Sequence, residues 1–172
     1  MRFRAAVLAL ACIAAATPAW ADFFREPLPA VEAADRVVLR KADRRLALYR
    51  GGHEIRSYRV SLGLNPKGHK QREGDYRTPE GSYRLTRRNA ESEFFLAIQV
   101  SYPDADDLAS ARRNGVRPGG AIMIHGLPNV MRHSRDRYLS SDWTDGCIAL
   151  SNEDMLEVWL LTRPDTPIEI QP

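Results

Sequence analysis

The sequence predicts a single domain that is mostly β with a few helices. Three observations lead there: polar and apolar residues alternate with period two early in the chain, Gly and Pro punctuate a long central stretch, and only two or three short runs carry helix-capping signals. Arg36 to Arg40 reads as a strand, and Arg45 to Arg50 (Arg-Leu-Ala-Leu-Tyr-Arg) alternates as a half-buried strand does. Gly51-Gly52 supplies a tight turn into a second alternating run, Glu54 to Leu62, so the domain opens as a β-meander. Residues 63–81 form a long structured loop, because Gly63, Pro66, Gly68, Gly74, Pro79 and Gly81 interrupt a polar stretch. Within it Thr78-Pro79-Glu80-Gly81 is a turn in which Pro sets φ.

Strands follow at Ser82 to Arg87 and Phe94 to Ser101. Asp104 to Arg113, Ala-rich and acidic at its start, is a short helix stopped by Asn114-Gly115. Ala121 to His125 is a strand whose alternation places Ala121, Met123 and His125 on one face and Ile122 and Ile124 on the other. Residues 127–143 show no clear period and are rich in charge. A connection of that length reads as a lid over a site or as an ordinary surface excursion. Cys147 opens a short apolar strand. Ser151-Asn152-Glu153-Asp154 resembles a capping box with Asp in the usual Glu or Gln position, and it starts a helix carrying Met155, Leu156, Val158, Trp159 and Leu160. Thr166 to Ile170 closes the chain as a strand, and no internal repeat or low-complexity tract is visible.

The first residues follow an export pattern: Arg2 and Arg4, an uncharged apolar run from Ala5 to Ala16, and the small-x-small site Ala19-Trp20-Ala21. The expected organisation is therefore a signal peptide at 1–21, an N-terminal arm at 22–35 and a domain at 36–172, with no transmembrane segment in the mature chain. The apolar run is shorter than the roughly 20 residues a membrane span needs. A lipid anchor on Cys12 fits poorly, since that residue lies inside the apolar run. The whole chain carries 25 Lys+Arg against 22 Asp+Glu. Without Arg2 and Arg4, the only charges before Asp22, the balance is 23 against 22. A nearly neutral mature protein gives no reason to expect nucleic acid as a partner. Arginines do cluster, at Arg112, Arg113 and Arg117 and at Arg132, Arg135 and Arg137. Each cluster reads either as a solvated face or as a site for carboxylates.

Cys147 is then the sole thiol of an exported chain, in the run Trp143-Thr144-Asp145-Gly146-Cys147-Ile148-Ala149-Leu150. It has no partner for an intramolecular disulfide, and a lone thiol in an oxidising compartment is a liability unless it does chemistry. About 3% of an ordinary thiol is ionised at neutral pH, so a nucleophilic cysteine needs a base. His125, at the end of a buried strand, is the best candidate. His133 in the 127–143 segment is a weaker one, and His53 and His69 read as solvated. Gly146 permits a bend closed to other residues, and the backbone N–H groups of Gly146 and Cys147 could form an oxyanion hole. A carbonyl near Gly126, or Asp145 or Asp142, could orient the imidazole. The bland alternatives are a buried small hydrophobe for Cys147 and a satisfied core histidine for His125. Zinc-type ligand spacing is missing, so no metal or other cofactor is expected.

Ile124-His125-Gly126, a spacer, and Thr144-Asp145-Gly146-Cys147-Ile148-Ala149-Leu150 together resemble the YkuD-type L,D-transpeptidase family, whose signature is His-Gly followed by Ser/Thr-x-Gly-Cys. The resemblance extends upstream through Val60 to Gly63, Gly68-His69-Lys70, Gly74-Asp75 and Thr78-Pro79-Glu80-Gly81-Ser82-Tyr83, and covers roughly Arg36 to Ile170. It implies a mostly β catalytic domain acting in the periplasm on peptidoglycan stem peptides. There Cys147 would attack a stem carbonyl to form a thioester, His125 would be the general base, and the amine of a second stem would complete a crosslink. Gly126, Thr144, Asp145, Arg132, Arg135 and Arg137 are expected along the substrate path. Two residues depart from the family pattern: Asp145 stands where many members have His, and Ala149 where many have Arg, with Asn152 further on. Both departures bear on which donor is recognised. The same scaffold would also serve an L,D-carboxypeptidase or amidase that hydrolyses stems, or a non-catalytic envelope-binding protein.

Overall fold

The computed structural model describes residues 32–172, so the expected signal peptide and most of the expected arm lie outside the described residues. Among the described residues eight strands make one sheet in the order β3-β2-β1-β8-β4-β5-β6-β7. They are β1 (Arg36–Arg40), β2 (Arg45–Arg50), β3 (His53–Arg59), β4 (Gly81–Ser92), β5 (Phe95–Val100), β6 (Met123–His125), β7 (Ile148–Ala149) and β8 (Pro167–Gln171). Among the described residues three helices accompany them: α1 (Ala105–Arg113), α2 (Arg135–Ser140) and α3 (Asn152–Leu161). The fold is mostly β with helices, as the sequence predicts.

The meander forms as the alternation requires. β1 pairs antiparallel with β2, and β2 with β3. The C-terminal strand then inserts at the centre: β8 runs parallel to β1 and antiparallel to β4. Its Ile168 and Ile170 join Val37, Leu39, Leu46, Leu48, Leu85 and Met155 in one buried cluster. Beyond β3 the chain bridges to the far end of the strand order. Ser61 and Ala149 exchange backbone hydrogen bonds of 2.9 and 2.8 Å, so β3 and β7, the two ends of the sheet, are brought together.

Three expectations are corrected. β4 runs to Ser92, past the predicted end at Arg87. The Arg88 guanidinium lies 3.9 Å over the Trp159 ring and donates to the Thr162 carbonyl at 2.8 Å, so tertiary anchoring holds this charged stretch extended. The aperiodic 127–143 segment contains α2, capped by Ser134, and its buried Tyr138 carbonyl accepts from Ser61 (2.7 Å) and from the Trp143 indole (3.0 Å). His69 is not a solvated histidine. Its Nδ1 accepts from the Glu80 N–H (3.1 Å) and its Nε2 donates to the nearly buried Asp107 carboxylate (3.0 Å).

The expected 63–81 loop ends at Glu80, because Gly81 already opens β4; from 63 to 80 it has no strand or helix of its own and is held by side chains. Lys41, 2% exposed, donates to the Gly68 carbonyl (2.7 Å), the Thr78 carbonyl (2.9 Å) and Glu80 Oε1 (2.8 Å). Lys70 pairs with Asp75 Oδ1 at 2.8 Å, and the Asp75 carboxylate also accepts the N–H groups of Gln71, Arg72 and Arg77. Those donors outweigh burial and hold the Asp75 carboxyl at about 2.

Candidate active site

β6 and β7 run parallel in the register Ile124 to Ile148 and His125 to Ala149. One step earlier in that register sets Cys147 beside Met123, on the strand that ends in His125. The 22-residue gap between thiol and imidazole is closed by two neighbouring parallel strands, though not by strands ending at one rim: Cys147 stands just before β7, level with the start of β6, and His125 ends β6 two residues further along. Ala121, Met123 and His125 line a cavity of about 330 Å³ together with Cys147, while Ile122 and Ile124 face the core. The alternation read from the sequence therefore holds.

His125 is 4% exposed, and its Nδ1 lies 2.7 Å from the Gly126 carbonyl. A carbonyl oxygen only accepts, so Nδ1 carries the hydrogen and Nε2 keeps its lone pair. The orienting group is thus a backbone carbonyl and not a carboxylate. Asp142 is committed elsewhere, to Arg44 (2.8 Å) and to the Leu62 N–H (2.9 Å). Burial pushes the imidazole down to about 4, against a smaller upward pull from the Gly126 hydrogen bond. Phe94 and Trp143 complete the apolar surround, with ring centroids 4.7 and 5.7 Å from the imidazole.

The Cys147 thiol donates to the Ala121 carbonyl at 3.6 Å. Burial raises its pKa, and the Asp145 carboxylate adds to that. The Met123 amide and Lys70 act in the opposite direction. Neighbouring Gly146 has φ +125°, and a Cβ there would stand 2.6 Å from the Arg77 carbonyl oxygen, so both backbone conformation and space require glycine. Gly126 is required by space alone, since a Cβ would meet Asn152 Oδ1 at 2.7 Å and Phe95 Cβ at 2.9 Å. Asn152 uses that oxygen to accept the Leu127 N–H at 2.8 Å, and so anchors the chain leaving His125.

Thr144 braces the bend: its hydroxyl donates to the Cys147 carbonyl (2.8 Å) and accepts the Gly146 N–H (3.2 Å). The Gly146 N–H, expected in an oxyanion hole, is therefore already engaged. Asp145 is exposed and lines the cavity. Among the three clustered arginines, Arg132 lines a second groove of about 590 Å³ that shares Phe94 and Trp143 with the first. Arg135 pairs instead with Glu153, and Arg137 lies on α2. His133 packs near Tyr138, at 5.9 Å between ring centroids, and is exposed. Sequence reasoning missed Phe94 and Trp143 as walls, although Trp143 directly precedes the Thr-x-Gly-Cys run. It had no means of finding the Ala121 and Arg77 carbonyls, because backbone groups carry no sequence signal.

The YkuD family, described as an L,D-transpeptidase catalytic domain, matches residues 34–170. YafK of Escherichia coli (strain K12), provisionally named an L,D-transpeptidase, is 28% identical over 145 residues, covering 77% of this chain and 51% of YafK. The helical cell shape determining protein Pgp2 from Campylobacter jejuni is similar in structure, with TM-score 0.60 and 28% identity over 78% of this chain and 46% of Pgp2. The Bdellovibrio bacteriovorus protein Bd1075 has TM-score 0.55 at 23% identity over 83% of this chain and 52% of its own, a likeness of fold alone. The chain thus spans about half the length of these relatives.

Proposed function

We infer, because this chain belongs to the L,D-transpeptidase catalytic domain (YkuD) family, that it is a cysteine acyltransferase acting on peptidoglycan stem peptides in the periplasm. One observation carries the reading: a buried, neutral imidazole with its Nδ1 proton fixed on the Gly126 carbonyl shares a cavity with the only cysteine of the described residues. An imidazole held near 4 and a thiol held above its ordinary value rest as a neutral pair. The proton moves when the substrate carbonyl arrives, and not before.

In the first half-reaction the Cys147 proton passes to His125 Nε2 and the sulfur attacks the stem carbonyl. A C–S bond forms, and the leaving amine takes the proton back from His125 as the C–N bond breaks. The Cys147 N–H is the remaining backbone donor for the oxyanion once Thr144 holds the Gly146 N–H. In the second half an amine attacks the thioester, the C–S bond breaks, and His125 takes the amine proton as thiolate leaves. The apolar walls of Phe94 and Trp143 keep the site dry enough for the thioester to await an amine. Arg132, beyond them, suits a stem carboxylate. Export through residues 1–21 would bring the domain to this substrate.

The reading is tested by incubating the protein and its Cys147→Ala variant with purified muropeptides and weighing the products. Crosslinked dimers made only by the wild type are expected. Shortened monomers alone would assign a hydrolase on the same scaffold, and unchanged muropeptides with both proteins would sink the enzymatic reading.

A further inference from the structure

The outer face of the β-meander carries arginines in a line. Arg40 on β1 stands directly opposite Arg45 on β2, and Arg45 directly opposite Arg59 on β3. Residues opposite one another share a face of the sheet, so three guanidiniums leave the same side of three adjacent strands. With strands about 4.8 Å apart, the row spans roughly 10 Å between its outer Cα atoms. The face points away from the core, since Leu39, Leu46 and Tyr58, which precede or follow these positions in the alternation, belong to the buried cluster. Arg36 lies on the same face, its guanidinium 4.8 Å over the Tyr49 ring.

Like charges directly opposite across a strand pair are destabilising, and here two such pairs follow in succession. Glu54 reaches the row and pairs with Arg45. Asp43, in the turn beside Arg40, is exposed and makes no ion pair among the described residues. Glu169, opposite Val38 on the same face, accepts from Gln171 at 2.8 Å. Arg40 donates to the Tyr49 hydroxyl at 3.1 Å and Arg59 Nε to the Leu139 carbonyl at 3.3 Å. Both acceptors are neutral, and neither arginine has an acid partner among the described residues. Arg45 and Arg59 are exposed and Arg40 is half-buried, so N–H groups of all three remain for a ligand.

Two observations choose that ligand. The large apolar side chains exposed among the described residues all lie on the 63–80 loop, the 127–143 segment, α1 and α3. This face therefore offers charge and nothing to insert into a lipid surface. The row also has a direction. It ends at Arg59, bound to Leu139, and the adjacent Tyr138 lines the groove that shares Trp143 with the thiol cavity.

We propose that the Arg40, Arg45 and Arg59 row is a docking surface, separate from the chemistry, for the peptidoglycan polymer. Successive stem carboxylates take the guanidiniums, which accept a carboxylate as a two-pronged fork. It rests on the reading above that peptidoglycan is the substrate. Each contact is weak at an exposed site, and a polymer that makes several at once is held by their sum. The negative chain laid over the row also relieves the repulsion among its arginines. Stems cut free of the polymer gain nothing from this surface.

The test sediments the full chain with intact insoluble peptidoglycan, with the same material after its carboxylates are converted to methylamides, and with phosphatidylglycerol vesicles. Pelleting is expected with the first alone, and it should weaken as salt is raised. Changing all three residues together, Arg40→Gln, Arg45→Gln and Arg59→Gln, should weaken binding about tenfold or more, whereas lysine at the three positions should keep it within a fewfold. Glu54→Gln, which frees Arg45, should strengthen it about threefold. Thioester formation with a soluble stem tetrapeptide should stay within about twofold of wild type in every variant. Pelleting that survives the glutamine changes, equal pelleting with methylamidated polymer or with vesicles, or a Glu54→Gln protein that binds no tighter would overturn the proposal. Arginine-dependent pelleting by a protein that forms no thioester refutes the transferase reading and leaves the surface standing. Thioester formation by a protein whose pelleting ignores the arginines does the opposite.

Discussion

At the scale of single residues, the proposed chemistry turns on which histidine would serve Cys147. His125 is buried and fixed by a 2.7 Å hydrogen bond, whereas His133 is exposed on the 127–143 segment. His125→Ala should abolish thioester formation, while His133→Ala should leave it within a fewfold of wild type. Equal losses would reverse the assignment. The buried imidazole also leaves a mark on stability. Folded His125 titrates at about 4 against an ordinary 6.5, so between those values the unfolded chain takes up a proton that the folded chain refuses. Stability contributed by the neutral ring is complete above pH 6.5 and is lost as pH falls to 4, a change of roughly 3 kcal/mol. Denaturant unfolding of wild type should therefore weaken from pH 7 to pH 4 more than that of His125→Gln. Parallel pH dependence in the two proteins would contradict the burial argument. For the thiol, alkylation by iodoacetamide should rise with pH to a midpoint above that of a free cysteine, and Asp145→Asn should move the midpoint down. A midpoint unmoved by that change would remove Asp145 from the thiol's surroundings.

At the scale of elements, the segment that packs against the Cys147 bend is the 63–81 loop, and Lys41 holds it from β1's end. Lys41→Met leaves Glu80 and two carbonyls without their donor, at a cost of about 3 kcal/mol in denaturant unfolding. A loss under about 1 kcal/mol would mean that the loop is held by other contacts. Gly146→Ala must displace the Arg77 carbonyl or abandon φ +125°, and a variant with wild-type turnover would show that the bend is not needed. These elements were unevenly legible. Gly and Pro announced the loop, and alternation gave β6 with its faces correctly assigned. The pins were hidden, because nothing in Lys41, His69 or Arg88 as single residues says that Glu80, Asp107 or Trp159 will lie opposite. Local pattern reports the face a residue takes and is silent on its distant partner. For that reason α2 was missed within an aperiodic segment whose order comes from Tyr138 and Trp143.

At the scale of the whole molecule, the sheet is assembled from both ends of the chain. β8 is read easily as a strand, but its place between β1 and β4 follows from pairing across 131 residues to β1 and 83 to 89 residues to β4, and has no local signature. Cys147 and His125 are brought together by the same means, through β6 and β7. The motif foretold the meeting by family resemblance, while the parallel register explains it. Removing residues 166–172 should take Ile168 and Ile170 from the core and leave β1 and β4 unpaired, with loss of cooperative unfolding; a truncated chain that still unfolds in one sharp transition would show that the two halves of the sheet stand alone. The site depends on this frame, since the sheet's two ends meet where Ser61 bridges to Ala149, two residues beyond Cys147. The central claim, that this frame presents Cys147 as the acyl carrier, is most directly tested by mass. Intact protein quenched in acid after brief exposure to a stem tetrapeptide should gain the acyl fragment on Cys147, with no gain in Cys147→Ala. An adduct on another residue, or none in a wild type that nevertheless changes the peptide, would contradict it.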